Sequence, residues 1–497
     1  MKDSMIRGPR SRALAISLAI ALGAFPAPAQ LPSMGDGFDL TPSAERRIGE
    51  RIARELYRDP DFIDDPLLGE YVQSLWQPLL AAARLRGEMT PDLDQRYAWR
   101  ILLGKDRSIN AFALPGGWLG LHLGLLAVTT SRDELASVLA HELSHVTQRH
   151  IARMMSQDKR QTPFVIGAII LGALAASKSP DAAAALITGG QAAGVQGQLN
   201  FSRDMEREAD RIGLGVLTQA GFEGQGFVTM FEKLQQSSRL NDNGAFPYLR
   251  THPLTLERMV DMRSRQPLGA RAAPPRADLE HALMAARARA LSSGGVELQQ
   301  ALLREADVAA DAPSQRRAAA WYAGALAAMQ LRDMARALRY QERLAPLVAD
   351  HPAGARLARL LAAELALAGG DAVRALGLTG AASARPEILL AAQATVRAGL
   401  PAPAVERLQT WVTLNPTDGT AWQALSNAQS AQGLALRAIR SEAEARVAWL
   451  DYPAALDRLR AAQELARRGT PDHIEASIID TRARAVESLL REQALER

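Results

Sequence analysis

The chain has 497 residues, 47% apolar and 23% charged, with a formal net charge of +4, a size that suits two or three globular domains. It holds no cysteine, which excludes a disulfide scaffold, thiol catalysis and a lipoprotein anchor built on an N-terminal cysteine. The basic residues are scattered without a long run, so nucleic acid is not an expected partner.

At the N-terminus, Lys2, Arg7, Arg10 and Arg12 precede an apolar stretch over 13–24 that is too short for a transmembrane helix. Ala27-Pro28-Ala29 places small residues where signal peptidase reads them, so residues 1–29 are expected to be a signal peptide cleaved after Ala29. Periodic apolar residues predict helices over 44–57 and 67–85. Alternation and turn residues predict strands over 97–103, 109–114 and 118–122, with Pro115-Gly116-Gly117 as a turn between the last two. A small antiparallel sheet is the expectation.

Ser131-Arg132-Asp133-Glu134 is a capping box that starts a long helix through Leu139, His141 and His145. Two apolar or small-residue runs follow over 164–195, each short of a bilayer span. They suit a buried hairpin or a lid, or a segment in peripheral contact with a membrane. A helix is expected over 206–217, closed by Gly221, and another over 227–236, followed by a loop over 240–254. Pro, Gly, Ala and Arg crowd residues 266–275, which marks a boundary. Beyond it the chain is rich in Ala, Leu and Arg and reads as helical throughout. Trp321, Ala325 and Ala328, with Pro352 closing the unit, repeat loosely as Trp422, Leu425, Ala428 and Gly433, a second unit introduced by Ala404 and Pro416. This resembles tetratricopeptide helix pairs. The expected divisions are 1–29, a first domain over 30–270 and a repeat domain over 276–497.

His141-Glu142-Leu143-Ser144-His145 carries the chemistry. Residues four apart sit about 40° apart on one helix face, so His141 and His145 can present two imidazoles to one Zn²⁺. Glu142 points to the side of that axis, where a general base is needed. A catalytic zinc needs a third protein ligand. Glu206 and Asp210 are again four apart, and spacing favours Glu206 among several carboxylates, with Asp210 accepting the other N–H of a ligand histidine. Glu208 is expected in solvent. His150, about 140° around the helix from His145, reads as a non-ligand.

The motif, with Glu206-Arg207-Glu208-Ala209-Asp210 downstream, Asn110 to Gly117 before it and Thr251-His252-Pro253 after it, resembles the HtpX/CAAX-prenyl-protease type of gluzincin. The fold class is then α+β: a mainly helical peptidase domain with a small antiparallel sheet, followed by an all-α tetratricopeptide-like solenoid. The resemblance implies one Zn²⁺ per chain on His141, His145 and Glu206, with Glu142 as base. It also implies His252 as a fourth, removable ligand and Arg258 as a transition-state stabiliser. Asn110, Ala111 and Phe112 would lie on an edge strand that pairs with an extended substrate. Together with the signal peptide and the repeats, the resemblance is to envelope members of this type. It implies a periplasmic endopeptidase with chaperone-like activity. Its partners would be unfolded or partly assembled outer-membrane proteins and the outer-membrane assembly machinery. The alternative is a chaperone or scaffold whose zinc site is latent.

Overall fold

The computed structural model describes residues 40–157, 202–240, 247–266, 278–380, 383–469 and 472–494. The expectations for residues 1–29, 164–195 and 267–275 lie outside these. From Leu40 onward the chain forms one compact unit.

Two capped helices open it. In α1 (Pro42–Arg58) the Thr41 hydroxyl accepts from the Ala44 amide, and in α2 (Pro66–Leu85) Asp65 accepts from Leu68. Both begin with proline at the first helical turn, where no amide hydrogen is needed. The short α3 (Pro91–Arg96) leads to the sheet.

The sheet has strands β1 (Phe62–Ile63), β2 (Arg100–Gly104), β3 (Ala111–Leu114) and β4 (Trp118–His122) in the order β1-β2-β4-β3. It is mixed, not antiparallel as the sequence pattern suggested. β3 and β4 form the expected hairpin, with Phe112 opposite Gly120, but β2 and β4 run parallel, with Leu102 opposite Gly120. The connection after β2 carries the chain past the central position to the outer edge. The hairpin then returns β4 into the gap beside β2. Gly116 at φ +73° and Gly117 at φ +80° make that return. A Cβ on Gly116 would fall 2.4 Å from the Arg46 Cα, so this turn needs glycine both for its backbone and for its packing on α1.

After α4 (Leu123–Val128), Ser131 caps α5 (Arg132–Thr147), its hydroxyl accepting from the Glu134 amide at 3.2 Å. The Glu134 carboxylate accepts from the Thr130 amide at 2.7 Å, one residue earlier than a standard capping box, and from Lys233 Nζ at 2.6 Å. α5 is buried along nearly its whole length. α6 (His150–Gln157), α7 (Arg203–Gln219), α8 (Gln225–Leu240), α9 (Pro247–Thr251) and α10 (Leu256–Ser264) surround it. α7 crosses α5 at Gly213, where a Cβ would lie 3.2 Å from the Ala140 carbonyl oxygen. The absence of a side chain there lets the two site-bearing helices meet closely.

The C-terminal half is a run of packed helices: α11 (Leu279–Leu291), α12 (Gly295–Asp307), α13 (Ser314–Gln330), α14 (Met334–Leu347), α15 (Pro352–Ala368), α16 (Ala372–Thr379), α17 (Arg385–Arg397), α18 (Pro401–Leu414), α19 (Gly419–Ala431), α20 (Ala435–Ala448), α21 (Tyr452–Arg467) and α22 (His473–Ala494). Successive helices pack in pairs, and the residues that suggested repeats are in the packing. Trp321, Ala325 and Ala328 on α13 and Trp422, Leu425 and Ala428 on α19 are buried.

One apolar core runs from Leu67 through α5 into the C-terminal helices as far as Leu365. Ion pairs reinforce the junction. Buried Arg287 on α11 binds Asp65 and Glu364, and Arg385 on α17 bridges Asp64 and Asp418. Among the described residues, no helix is long and apolar enough to cross a membrane.

Candidate metal centre

His141 and His145 project from the middle of α5 with their Nε2 atoms 3.0 Å apart. The Ser202 hydroxyl caps α7 by accepting from Met205, and one turn on that helix brings Glu206 against both imidazoles. Its Oε2 is 3.5 Å from His141 Nε2 and its Oε1 is 3.4 Å from His145 Nε2. His252 arrives from just beyond α9, with Nδ1 3.0 Å from Glu206 Oε1 and 3.3 Å from His141 Nε2. Ligand atoms of His141, His145, Glu206 and His252 all lie within 4.8 Å of one another, and all four residues are buried.

The other nitrogens of the two α5 histidines are turned outward to carriers of their own. His141 Nδ1 lies 3.0 Å from Asp210 Oδ1, and His145 Nδ1 lies 2.9 Å from His150 Nδ1. With each Nδ1 set beside its own neighbour, the Nε2 atoms converge on one point beside a carboxylate. Three imidazoles and a carboxylate are a donor set suited to zinc, and converging lone pairs in a dry site need a cation to offset their repulsion. The residues fit a metal ion.

The electrostatics follow from burial and crowding. Burial opposes ionisation of Glu206, but His252, His141 and His145 outweigh it and hold its carboxyl well below the usual range. Burial likewise opposes a charge on His141, but Asp210 and Glu206 prevail and push it up to about 9. Burial pushes the Glu142 carboxyl up, against the pull of His252 and His141. Among the described residues, His252 Nε2 stands 3.5 Å from Glu142 Oε1, and the Ala113 backbone also favours the charged form of Glu142.

Arg258, capped into α10 by Thr255, lies behind the ligands. Its Nε and Nη2 donate to the two Asp210 oxygens at 2.6 and 2.8 Å, its Nη1 donates to the Pro253 carbonyl at 2.8 Å, and that nitrogen also lies 2.6 Å from Glu206 Oε2. Tyr248 stacks on His252 with ring centroids 4.6 Å apart. Of the edge-strand residues, Ala111 and Ala113 share the apolar core with α5. The Phe112 ring lies on the other face over Gly120 and packs with residues of α1. The Asn110 carbonyl accepts from the His122 amide. β3 is the outermost strand of the sheet on its side.

Two expectations need correction. Glu208 is not simply solvated: it accepts from His150 Nε2 at 3.0 Å and from Arg153 Nη1 at 2.8 Å. The helical-wheel angle for His150 also does not hold, because α5 ends at Thr147 and Arg149 takes φ +52°, turning the chain before α6 begins. His150 is outside the four-residue metal group, but it touches a member of it. A residue with positive φ that is neither glycine nor asparagine leaves no sequence signal. Tyr248 is brought to His252 by one helical turn, the His252 amide donating to the Tyr248 carbonyl at 2.8 Å, and no sequence pattern marked that turn as helical.

The family model for peptidase family M48 matches residues 69–266. A Vibrio cholerae protein with beta-barrel assembly-enhancing protease in its name is 38% identical over 267 residues, 52% of either chain. The beta-barrel assembly-enhancing protease of Escherichia coli K12 is 34% identical over 422 residues, 82% of either chain. The mitochondrial metalloendopeptidase OMA1 of Arabidopsis thaliana is 33% identical over 156 residues, 31% of this chain and 29% of that one.

Proposed function

The chain belongs to peptidase family M48, and on that premise we propose that it is a zinc endopeptidase of the bacterial periplasm acting in the assembly and quality control of outer-membrane proteins. The observation that carries the chemistry is the convergence of His141, His145, Glu206 and His252 beside Glu142. The relatives' name and the 82% span shared with the Escherichia coli protein support the substrate class.

In this reading one Zn²⁺ is held by His141, His145 and Glu206, where it supplies Lewis acidity to polarise a peptide carbonyl and activate water. Glu142 takes the proton of the attacking water and passes it to the leaving amine. Asp210 receives the His141 Nδ1–H and keeps Nε2 turned inward. Arg258 has its donors engaged by Asp210, Pro253 and Glu206, which favours holding the ligands in place over steadying the transition state. An extended substrate adds to β3 beside Asn110, Ala111 and Phe112, so that backbone hydrogen bonds supply affinity with little demand on sequence. His252 would be a fourth, removable ligand of the metal and would keep the enzyme latent at rest.

The domain divisions, 1–29 as a cleaved signal peptide, 30–270 as peptidase and 276–497 as tetratricopeptide-like repeats, belong to the same proposal. So does binding of partly assembled outer-membrane proteins or their assembly machinery by the repeats. One observation favours a second reading, a chaperone or scaffold: a third imidazole, His252, already completes the donor group.

The decisive variant is Glu142→Gln. It should retain zinc and lose cleavage of a denatured model substrate, and full cleavage would overturn the mechanism. If the same variant complements a deletion strain fully, the scaffold reading prevails.

A further inference from the structure

We propose that His150 is a positioning residue for the metal ligand His145, the middle member of a hydrogen-bonded chain that ends on Glu208. The inference rests on the zinc-peptidase reading above and adds residues that this reading does not use.

The proton positions follow from the geometry. His145 Nε2 faces Glu206 and His141, so a metal-ligating lone pair belongs there. A neutral imidazole that ligates through Nε2 carries its hydrogen on Nδ1. That hydrogen faces His150 Nδ1 across 2.9 Å, so His150 accepts at Nδ1 and carries its own hydrogen on Nε2. His150 Nε2 faces Glu208 Oε2 across 3.0 Å and donates to it. Arg153 Nη1 donates to the same oxygen at 2.8 Å. Each nitrogen in the chain thus has one consistent role, and a reversed tautomer at His150 would leave two hydrogens facing one another.

The two α5 ligands are therefore supported in parallel. His141 is backed by Asp210, which Arg258 grips. His145 is backed by Glu208, which Arg153 grips, with one imidazole inserted between. Both carboxylates come from α7, two residues apart, and would diverge on a helix wheel. The turn at Arg149 brings His150 across that divergence, and Arg149 is tied to α1 by Nε donating to Glu45 Oε1 at 2.8 Å. His150 is fully buried, whereas the Glu208 side chain is 29% exposed. Groups that orient a metal-bound imidazole typically change metal affinity about 10- to 100-fold when removed.

The test compares zinc affinity, by competition with a chromophoric chelator, in the full chain and in His150→Phe and His150→Gln. Phenylalanine fills the space without hydrogen bonds. The glutamine amide carries one acceptor and one donor, as this histidine does. His150→Phe should weaken zinc binding about 10-fold or more, while His150→Gln stays near wild type. Thermal unfolding of the metal-free proteins should separate them little. Equal affinity in His150→Phe and wild type would overturn the proposal, as would equal losses in both variants. If His150→Phe does not fold, Glu208→Ala carries the test: a loss of about 10-fold supports the chain, and unchanged affinity overturns it. A wild-type protein that binds no zinc would instead overturn the zinc-peptidase reading itself.

Discussion

Arg258 holds Asp210 through two parallel hydrogen bonds, Nε to Oδ2 at 2.6 Å and Nη2 to Oδ1 at 2.8 Å, in a site where both side chains are buried. The pair is geometrically strong, and it stands directly behind His141. Breaking a buried pair by removing one partner leaves an uncompensated charge, which costs about 3–5 kcal/mol. Arg258→Ala should lose stability on that scale and bind zinc more weakly, because Asp210 is freed to rotate away from His141. Urea unfolding with and without zinc checks both. A variant with wild-type stability and zinc affinity would show that the pair orients nothing.

His252 places Nδ1 among the ligand atoms and Nε2 beside Glu142. Removing the imidazole should open the coordination position that water needs. His252→Ala is expected to cleave a denatured model substrate faster than wild type while binding zinc somewhat more weakly. The measurement is initial rate at equal zinc occupancy. A slower variant would assign His252 to catalysis instead of latency.

Gly213 sets the approach of α7 to α5. A Cβ there meets Phe227 Cζ at 3.1 Å and the Ala140 carbonyl carbon at 3.2 Å. Gly213→Val should overpack this crossing, costing about 1–3 kcal/mol, and push Glu206 and Asp210 away from the histidines. Zinc content and thermal stability should fall together. Full zinc occupancy in this variant would mean that the crossing tolerates a side chain.

His281 joins the C-terminal helices to the peptidase half. Its Nε2 faces the Thr129 carbonyl at 3.0 Å and so carries the hydrogen, which leaves Nδ1 to accept from the Tyr71 hydroxyl at 2.6 Å. Burial lowers its pKa; Thr129, Asp278 and Glu134 oppose that shift, and Lys233 adds to it. The folded state therefore binds this proton more weakly than the unfolded state, whose histidine titrates near about 6.5. The contribution of His281 is fully present above that pH and declines as pH falls below it. Chemical denaturation at pH 7.5 and pH 5.5, as a comparison of wild type with His281→Gln, isolates the term. Wild type should lose more stability over this interval, and equal losses would sink the assignment.

How much of this was legible beforehand differs from element to element. The extent of α2 was readable from apolar periodicity over 67–85, and the start of β4 from the Gly116-Gly117 turn beside it. The sheet order was not, since alternation reports which face is buried and says nothing about which strand lies next to which. The repeat-like helices were visible as periodicity, but the Arg287 and Arg385 ion pairs that fasten them to the first helices join residues hundreds apart in the chain.

For the site, the sequence by itself determined that His141 and His145 share a face of a capped helix and that Glu206 and Asp210 share one on another. Those are consequences of the helical repeat and of caps within four residues. Only the tertiary structure decided that Arg258 serves Asp210 and that His150 and Glu208 stand behind His145. It also decided that His252 reaches the same point as the ligands. These relationships depend on how α7 crosses α5 at Gly213 and how the chain turns at Arg149. Neither is written in a local pattern, because each is set by packing between segments that meet only when the core forms.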